Sequence, residues 1–204
     1  MKIPPSLLTL AVVVVILFLV MRKRSLTPTV VENFLSPSEC DAVIHRARQI
    51  GLHPSTVTHR VHNNRKDSSR TSSNVFLHRH DPLGLKIKQK VSKYTGVDIR
   101  RMEDVQVVHY LPGQEYKPHF DACNDFCNGG KNLPRTQTMY IYLNDVEEGG
   151  CTSFPNVGVS VEPKKGRAVC WYNTDKEMKI LPESLHAADP VLRGEKWGCN
   201  VWIR

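Results

Sequence analysis

Beyond residue 100 the chain adopts a two-residue hydrophobic period, and this feature limits its fold more than any other. Val105 and Val107 alternate with Gln106, and later segments repeat the pattern. Successive side chains of a strand point to opposite faces, so this alternation is typical of β-strands. Glycine- and proline-containing turns such as Pro112-Gly113 separate the segments. The predicted strands lie at 105–109, 139–143, 157–161, 168–172 and 199–203. This run of short strands predicts an all-β sandwich or barrel.

Two helices are predicted before the strands begin. Ser36, Pro37 and Glu39 form a helix start, with serine at the N-cap, proline in the first turn and glutamate three residues after the cap. Gly51 offers a stop. A second helix is predicted from Asp81-Pro82 to Gly96, with Asp81 near its cap. The polar stretch 53–74 between them is interpreted as a loop or irregular hairpin.

The first 21 residues predict a membrane anchor. Residues 7–21 contain no charged side chain, which is the short end of the length that spans a bilayer. The stretch runs directly into Arg22-Lys23-Arg24, without the small residues of a cleavage site. Residues 22–30 are interpreted as a basic linker, and residues 31–204 as one domain. The net charge of +8 is otherwise dispersed, so no nucleic-acid partner is expected.

One triplet, His119-Phe120-Asp121, has the spacing of a metal-binding pair. Residues two apart in a strand share a face, so an imidazole and a carboxylate could grip one ion, and this donor set suits iron(II). The triplet alone is better explained as an ordinary surface pair, because about one such triplet is expected by chance in this chain. His186 offers a third ligand, and Lys196 offers a cation for the far carboxylate of a metal-bound dicarboxylate. Both are expected on neighbouring strands of the barrel.

Six cysteines permit three disulfides or none. They include no CxxC pair, so a structural zinc ribbon is not expected. The pairing and the redox compartment stay open at this point.

Four ordered motifs resemble the prolyl 4-hydroxylase branch (the alpha-subunit-like proteins) of the Fe(II)/2-oxoglutarate-dependent dioxygenase family. The similarity extends from about residue 31 to residue 204. The motifs are SRTSSNVFL (69–77), QVVHYLPGQEYKPHFD (106–121), YLNDVEEGG (142–150) and SLHAADPVLRGEKW (184–197).

The resemblance implies a mainly β fold with flanking helices, in which a double-stranded β-helix, or jelly roll, occupies about residues 103–204. It implies Fe(II), 2-oxoglutarate and O2 as cofactor and cosubstrates, with L-ascorbate as an expected aid. The implied catalytic residues, which are also the metal ligands, are His119, Asp121 and His186. The implied 2-oxoglutarate residues are Lys196 and Tyr110, with Tyr142 and Thr138 as lesser candidates. The implied peptide-binding residues are Tyr116, Arg135, Trp202, Arg70, Ser72 and Glu103.

The expected activity is therefore the hydroxylation of peptidyl proline, coupled to decarboxylation of 2-oxoglutarate. Three departures from the family pattern leave any family disulfide open and affect the expected peptide groove: Asp189 after the distal histidine, Cys151-Thr152 after the glycine pair, and a loop at 122–134 that holds Cys123 and Cys127. The altered loop motivates the first of the alternatives that stay open. The alternatives are the same chemistry on another side chain or a small molecule, and a membrane-anchored binding module without turnover. The resemblance favours an enzyme in the lumen of the endoplasmic reticulum, whereas the basic cluster at 22–24 favours a cytosolic domain.

Overall fold

The computed structural model describes residues 27–58, 64–65, 68–122 and 134–204. The predicted membrane anchor at 1–21 lies outside the described residues. No helix within the described part of the chain is long and apolar enough to cross a membrane.

Two α-helices flank the β-structure, and both begin where their caps were predicted. Helix α1 spans Pro37–Ile50 and starts with a complete capping box, because Ser36 accepts from the Glu39 amide while the Glu39 side chain accepts from the Ser36 amide. Helix α2 spans Pro82–Thr95 and is capped by Asp81, whose carboxylate accepts from two amides of the first turn. Asp81 is therefore the cap of this helix, as predicted.

Fifteen strands are found within the described residues. They are β1 (Thr29–Val31), β2 (His53–Pro54), β3 (Val57–Thr58), β4 (Asn64–Arg65), β5 (Ser73–Leu77), β6 (Val105–Tyr110), β7 (Tyr116–His119), β8 (Gln137–Tyr142), β9 (Glu148–Gly149), β10 (Thr152–Phe154), β11 (Val159–Val161), β12 (Ala168–Tyr172), β13 (His186–Ala188), β14 (Val191–Arg193) and β15 (Lys196–Ile203).

The strands form two facing sheets and two small ladders. The major sheet has the order β1-β12-β8-β15-β6-β5-β2, and the minor sheet has the order β11-β10-β13-β7. The ladders pair β9 with β14 and β3 with β4. The β3–β4 ladder fits the predicted irregular hairpin in residues 53–74, but β5 was not predicted. Strand β1 also takes the last two residues of the predicted linker into the major sheet, where they pair with β12.

The major sheet is buried on both faces, and residue parity sorts its side chains. On β8, Met139 and Ile141 belong to the apolar core that the two helices cover, whereas Tyr140 and Tyr142 belong to the core between the two sheets. Because successive side chains of a strand point to opposite faces, one buried face can be apolar while the other holds polar groups. Here the face toward the minor sheet holds them.

The same parity on β15 separates Trp197 and Cys199, in the core under the helices, from Lys196. Strand β15 lies in the major sheet, while His186 begins β13 in the minor sheet. The expectation that His186 and Lys196 lie on neighbouring strands is therefore wrong. Their elements belong to opposite sheets, because β15 pairs with β6 and β8 and β13 pairs with β7 and β10.

Candidate active site

Two histidines and one aspartate meet where β7 and β13 pair in the minor sheet. His119, the last residue of β7, is the register partner of His186 on β13. Asp121 follows β7 by two residues, and its carboxylate oxygens lie 3.8 Å from His119 Nε2 and 3.7 Å from His186 Nε2. One ligand atom of each residue lies within 4.8 Å of the others. Within the described residues this is the group of histidine, cysteine and acidic side chains that could hold a metal ion.

The backbone orients both imidazoles in the same way. His119 Nδ1 lies 2.8 Å from the Lys117 carbonyl, and His186 Nδ1 lies 2.8 Å from the Ser184 carbonyl. A carbonyl oxygen only accepts, so each Nδ1 carries the proton and each Nε2 presents a lone pair toward Asp121. Burial, helped by His186, also lowers the pKa of His119, which keeps the ring neutral. Two imidazoles and one carboxylate form the facial set that suits iron(II).

Asp121 is held by a short relay that starts on β8. The Thr138 hydroxyl donates to Asp121 Oδ2 at 2.6 Å, and Asn173 Nδ2 donates to the same hydroxyl oxygen at 2.8 Å. Burial raises the pKa of the Asp121 carboxyl, but the two histidines and Arg135 lower it by more, so the pKa lies below its usual range and the group is ionised. Thr138 therefore contacts the candidate metal ligand, although the resemblance suggested it for the 2-oxoglutarate pocket.

Lys196 occupies an aromatic chamber behind the triad. Its side-chain Nζ lies 5.3 to 5.5 Å from the ring centroids of Tyr110, Tyr140 and Tyr142. The residue is 1 % exposed, and Nζ has no hydrogen-bond partner within the described part of the chain. Burial lowers the pKa of Lys196 to about 7, against the raising effect of nearby Asp189. A buried amine without a partner is costly, so this chamber is built for an anion that the lysine can bind.

The backbone around Lys196 is clamped by Asn144. The Asn144 amide donates to the Glu195 carbonyl at 2.8 Å, and its oxygen accepts from the Trp197 amide at 2.6 Å. One side chain thus binds the peptide groups on both sides of Lys196, which sets where the lysine side chain leaves β15. Sequence reasoning missed Asn144, because its partners are more than fifty residues away.

Tyr110 and Tyr142 were both predicted near the lysine, and their hydroxyls differ. The Tyr142 hydroxyl donates to Thr152 Oγ1 at 2.6 Å and lies 3.0 Å from the Val161 carbonyl, so only its ring faces Lys196. Tyr110 is buried and lines the cleft beside the triad. The pKa of Tyr110 is raised by burial, and a hydrogen bond with Ser72 opposes this rise. Both phenols stay protonated near neutral pH.

The cleft that contains the triad has a volume of about 400 Å³ including the space open to solvent. Tyr116 stacks on His119 with ring centroids 3.5 Å apart, and the Arg70 guanidinium lies 4.9 Å from the centroid of Tyr116. Arg70 is itself fixed by Ser72 and by Gln106. The predicted peptide residues Arg70, Ser72 and Tyr116 thus form one connected wall.

A second predicted peptide group forms the other wall. Arg135 binds both carboxylate oxygens of Glu103, at 2.7 and 2.8 Å, and its guanidinium lies 3.6 Å from the centre of the Trp202 ring. Arg204 binds the same carboxylate at 2.6 Å. A bidentate pair locks the guanidinium plane against the indole. Trp202 lines the cleft, so this cluster presents a rigid aromatic surface beside the triad.

Two further aromatic side chains that were not predicted to line the site do so. Trp171 is buried, and it lines the cleft with its ring centroid 4.6 Å from that of His186. Tyr140 lies in the predicted strand 139–143 and also lines the cleft. Its shared parity with Thr138 and Tyr142 was the signal that could have found it.

A sandwich whose cleft holds two histidines and one aspartate, with a buried lysine packed against two tyrosines of the same cleft, defines a class of protein: the non-haem iron oxygenases that use a 2-oxo acid cosubstrate. The family model described as the 2OG-Fe(II) oxygenase superfamily matches residues 105–204. The chain belongs to this superfamily, in the branch whose members are named prolyl 4-hydroxylases. The predicted family is confirmed.

Three similarities support this assignment. Probable prolyl 4-hydroxylase 3 of Arabidopsis thaliana is 34 % identical over 194 residues, covering 85 % of this chain and 68 % of the plant protein. Prolyl 4-hydroxylase subunit alpha-1 of Rattus norvegicus is 40 % identical over 139 residues, covering 66 % of this chain and 26 % of the rat protein. The crystal structure of the viral collagen prolyl hydroxylase from Paramecium bursaria Chlorella virus-1, a 2OG complex, has a TM-score of 0.71 and 32 % identity, covering 87 % of this chain and 95 % of that one. The predicted jelly-roll core with flanking helices is thereby confirmed.

Proposed function

We propose that this chain is a prolyl 4-hydroxylase that uses Fe(II), 2-oxoglutarate and O2, with L-ascorbate as an aid, to hydroxylate peptidyl proline. The observation that carries the proposal is the conjunction, around one cleft, of three metal-ligand side chains and a buried lysine without a partner. Relatives named prolyl 4-hydroxylases, similar over most of the chain, favour proline as the target.

In this proposal His119 Nε2, His186 Nε2 and an Asp121 oxygen hold the iron. When bound, iron with 2-oxoglutarate and O2 supplies the oxidising chemistry, in which one oxygen atom enters the substrate C–H bond while 2-oxoglutarate loses CO2 to become succinate. Lys196 binds the distal carboxylate of the cosubstrate, which satisfies the amine and fixes the keto-acid end toward the triad. The buried tyrosines of the aromatic chamber keep water away from the lysine and the carboxylate that it binds.

The substrate side is proposed from the two aromatic walls. Tyr116 stacks on a ligand histidine, and Trp202 is braced by Arg135, so both rings are held before any peptide arrives. A rigid aromatic surface suits the apolar face of a pyrrolidine ring. A proline-containing peptide is therefore the proposed partner.

The proposal is tested with full-length protein loaded anaerobically with Fe(II), then given 2-oxoglutarate, ascorbate, O2 and a panel of proline-rich peptides. Succinate release and a one-oxygen mass gain are followed, with His186→Ala as the inactive control. Peptide-dependent succinate with oxygen on proline is expected. Succinate without modified peptide would favour another side chain or a small molecule as substrate. The absence of succinate from an iron-loaded sample would favour a binding module.

We also propose that residues 1–21 anchor the chain as a single-pass membrane protein of the endoplasmic reticulum, with the catalytic domain in the lumen. The uncharged stretch supports the anchor, and the family resemblance of the motifs is the reason for placing the domain in the lumen. In a protease-protection assay on sealed microsomes the catalytic domain should survive until detergent is added. Digestion without detergent would indicate the opposite orientation, with the catalytic domain in the cytosol.

A further inference from the structure

A second buried donor beside Lys196 lacks a partner. The Tyr140 hydroxyl is buried and forms no hydrogen bond within the described residues, and the residue is 6 % exposed. Its ring centroid lies 5.3 Å from Lys196 Nζ, and Tyr140 lines the same cleft as the triad. Two orphaned donors at one place indicate one missing acceptor, since buried polar groups are otherwise almost always bonded.

The neighbouring strand makes room for this phenol. Gly198 on β15 has ordinary backbone geometry, yet a Cβ at that position would overlap the Tyr140 hydroxyl and the ring carbon that carries it. On the register of the two strands Tyr140 lies opposite Asn200, so its ring leans along β15 past Gly198, toward Lys196. A glycine inside a strand marks such a close approach.

The adjacent tyrosine provides the contrast. Tyr142 has the same parity on β8 and its ring is 5.5 Å from Lys196 Nζ, almost the distance of Tyr140. Its hydroxyl, however, is bonded to Thr152 and Val161. Two rings at equal distance from one ammonium therefore differ in whether the hydroxyl is free to donate to a ligand.

We propose that Tyr140 is a specificity-determining residue whose hydroxyl, together with Lys196, binds the distal carboxylate of 2-oxoglutarate. A carboxylate has two oxygens, so it can satisfy the ammonium and the phenol together. This inference rests on the proposed use of 2-oxoglutarate by the same site, and it names a residue beyond those that the family resemblance suggests. Because the phenol donates only to the far end of the ligand, it favours keto acids that carry a carboxylate there.

The test compares Tyr140→Phe with Tyr142→Phe in the full-length protein loaded with Mn(II), which cannot turn over. Calorimetry gives the Kd for 2-oxoglutarate and for 2-oxopentanoate, which has the same five carbons but no distal carboxylate. Tyr140→Phe is expected to weaken 2-oxoglutarate binding about 10- to 100-fold, the loss typical of one hydrogen bond to a charged group. It should change 2-oxopentanoate binding less than about twofold, because that ligand offers the phenol no acceptor.

For Tyr142→Phe the expected loss is mainly of thermal stability, with a smaller effect on the 2-oxoglutarate Kd than that of Tyr140→Phe. The reverse ranking, or equal weakening of both ligands by Tyr140→Phe, would overturn the assignment. So would wild-type protein that does not bind 2-oxoglutarate, and that result would overturn the proposed function as well. If the Kd values behave as expected but no peptide is hydroxylated, the assignment stands and only the proline substrate fails. An unchanged melting temperature for Tyr140→Phe excludes misfolding as the cause.

Discussion

His119 and His186 lie directly opposite each other across the antiparallel pair β7–β13, and each ring donates its Nδ1 proton to the carbonyl two residues before it, at 2.8 Å. Both Nε2 atoms therefore face Asp121, and the hydrogen bonds that orient the two rings come from the backbone. The only side-chain hydrogen bond described at the triad is the one that Thr138 donates to Asp121. The carboxylate is thus the ligand whose position depends on another side chain.

Replacing Thr138 should accordingly lower the affinity for the metal more than it lowers the stability of the fold. Thr138→Val keeps the shape of a fully buried side chain but removes the hydroxyl that binds Asp121 Oδ2. Loss of such an outer hydrogen bond reduces metal affinity by about 10- to 100-fold. Competition with a chelator, read as Mn(II) affinity, measures this. The control is Thr136→Val, whose hydroxyl donates to the Ile203 carbonyl and not to a residue of the triad. Equal metal affinities for the two variants would contradict the prediction.

Removing the Lys196 amine should make the ligand-free protein more stable. It should also abolish the stabilisation of the protein by 2-oxoglutarate. Burial lowers the Lys196 pKa from 10.5 to about 7, so folding favours the neutral amine. The buried amine therefore lowers the free energy of unfolding by its full amount below pH 7. This destabilisation declines as the pH rises toward 10.5 and is absent above that pH. At pH 6.5 Lys196→Met should be more stable by about 1–4 kcal/mol in urea unfolding. The gap should shrink at pH 9. A less stable variant at pH 6.5 would show that the amine has a partner in solution.

The same pKa predicts how 2-oxoglutarate binding depends on pH. Below pH 7 the amine already carries its proton, whereas above pH 7 binding must first take up a proton. The apparent Kd should therefore rise about tenfold from pH 6.5 to pH 8. Lys196→Arg supplies the comparison, because a guanidinium stays charged throughout this range. Calorimetry at the two pH values should show a Kd that changes strongly with pH for the wild type and stays constant for the Arg variant. Two flat profiles would mean that Lys196 is charged in the free protein.

The peptide wall can be separated from the cosubstrate chamber. Arg135→Lys keeps the positive charge but loses the bidentate pair with Glu103 and the flat contact with Trp202. The KM for a substrate peptide should rise about 5- to 30-fold, while the Kd for 2-oxoglutarate stays unchanged. Arg193→Lys, at an exposed pair with Glu147, is the matched control. A change in the 2-oxoglutarate Kd would show that Arg135 also affects cosubstrate binding, which contradicts its assignment to the peptide wall alone.

Much of this architecture can be predicted from local patterns. The caps Ser36 and Asp81 marked both helix starts, since a capping residue acts within a few positions of itself. The alternation on β6, β8 and β15 separated the face under the helices from the face of the site. The metal triplet was visible because His119 and Asp121 are two residues apart.

What could not be predicted depends on pairing between distant segments. Strand β5 is stabilised by pairing with β6, which lies about thirty residues further along the chain. Strands such as β9 and β13 are too short for a period of two to appear. The placement of His186 and Lys196 in opposite sheets required the strand order, which no local pattern contains. Asn144 was missed for the same reason, because its partners are backbone groups of a remote strand.

The pairing of Tyr140 with Gly198 gives the last prediction. A methyl group at position 198 would overlap the phenol, and overpacking of a buried site costs about 1–3 kcal/mol. Gly198→Ala should lower stability by that amount in urea unfolding. Tyr140→Leu removes the overlapping atoms, so the double variant Tyr140→Leu/Gly198→Ala should be more stable than the sum of the single changes predicts. Gly84→Ala is the control, because its added methyl would lie 3.2 Å from the Leu77 side chain rather than against Tyr140, and Tyr140→Leu should not rescue it. Additive effects at Tyr140 and Gly198 would show that the glycine is required for some other contact.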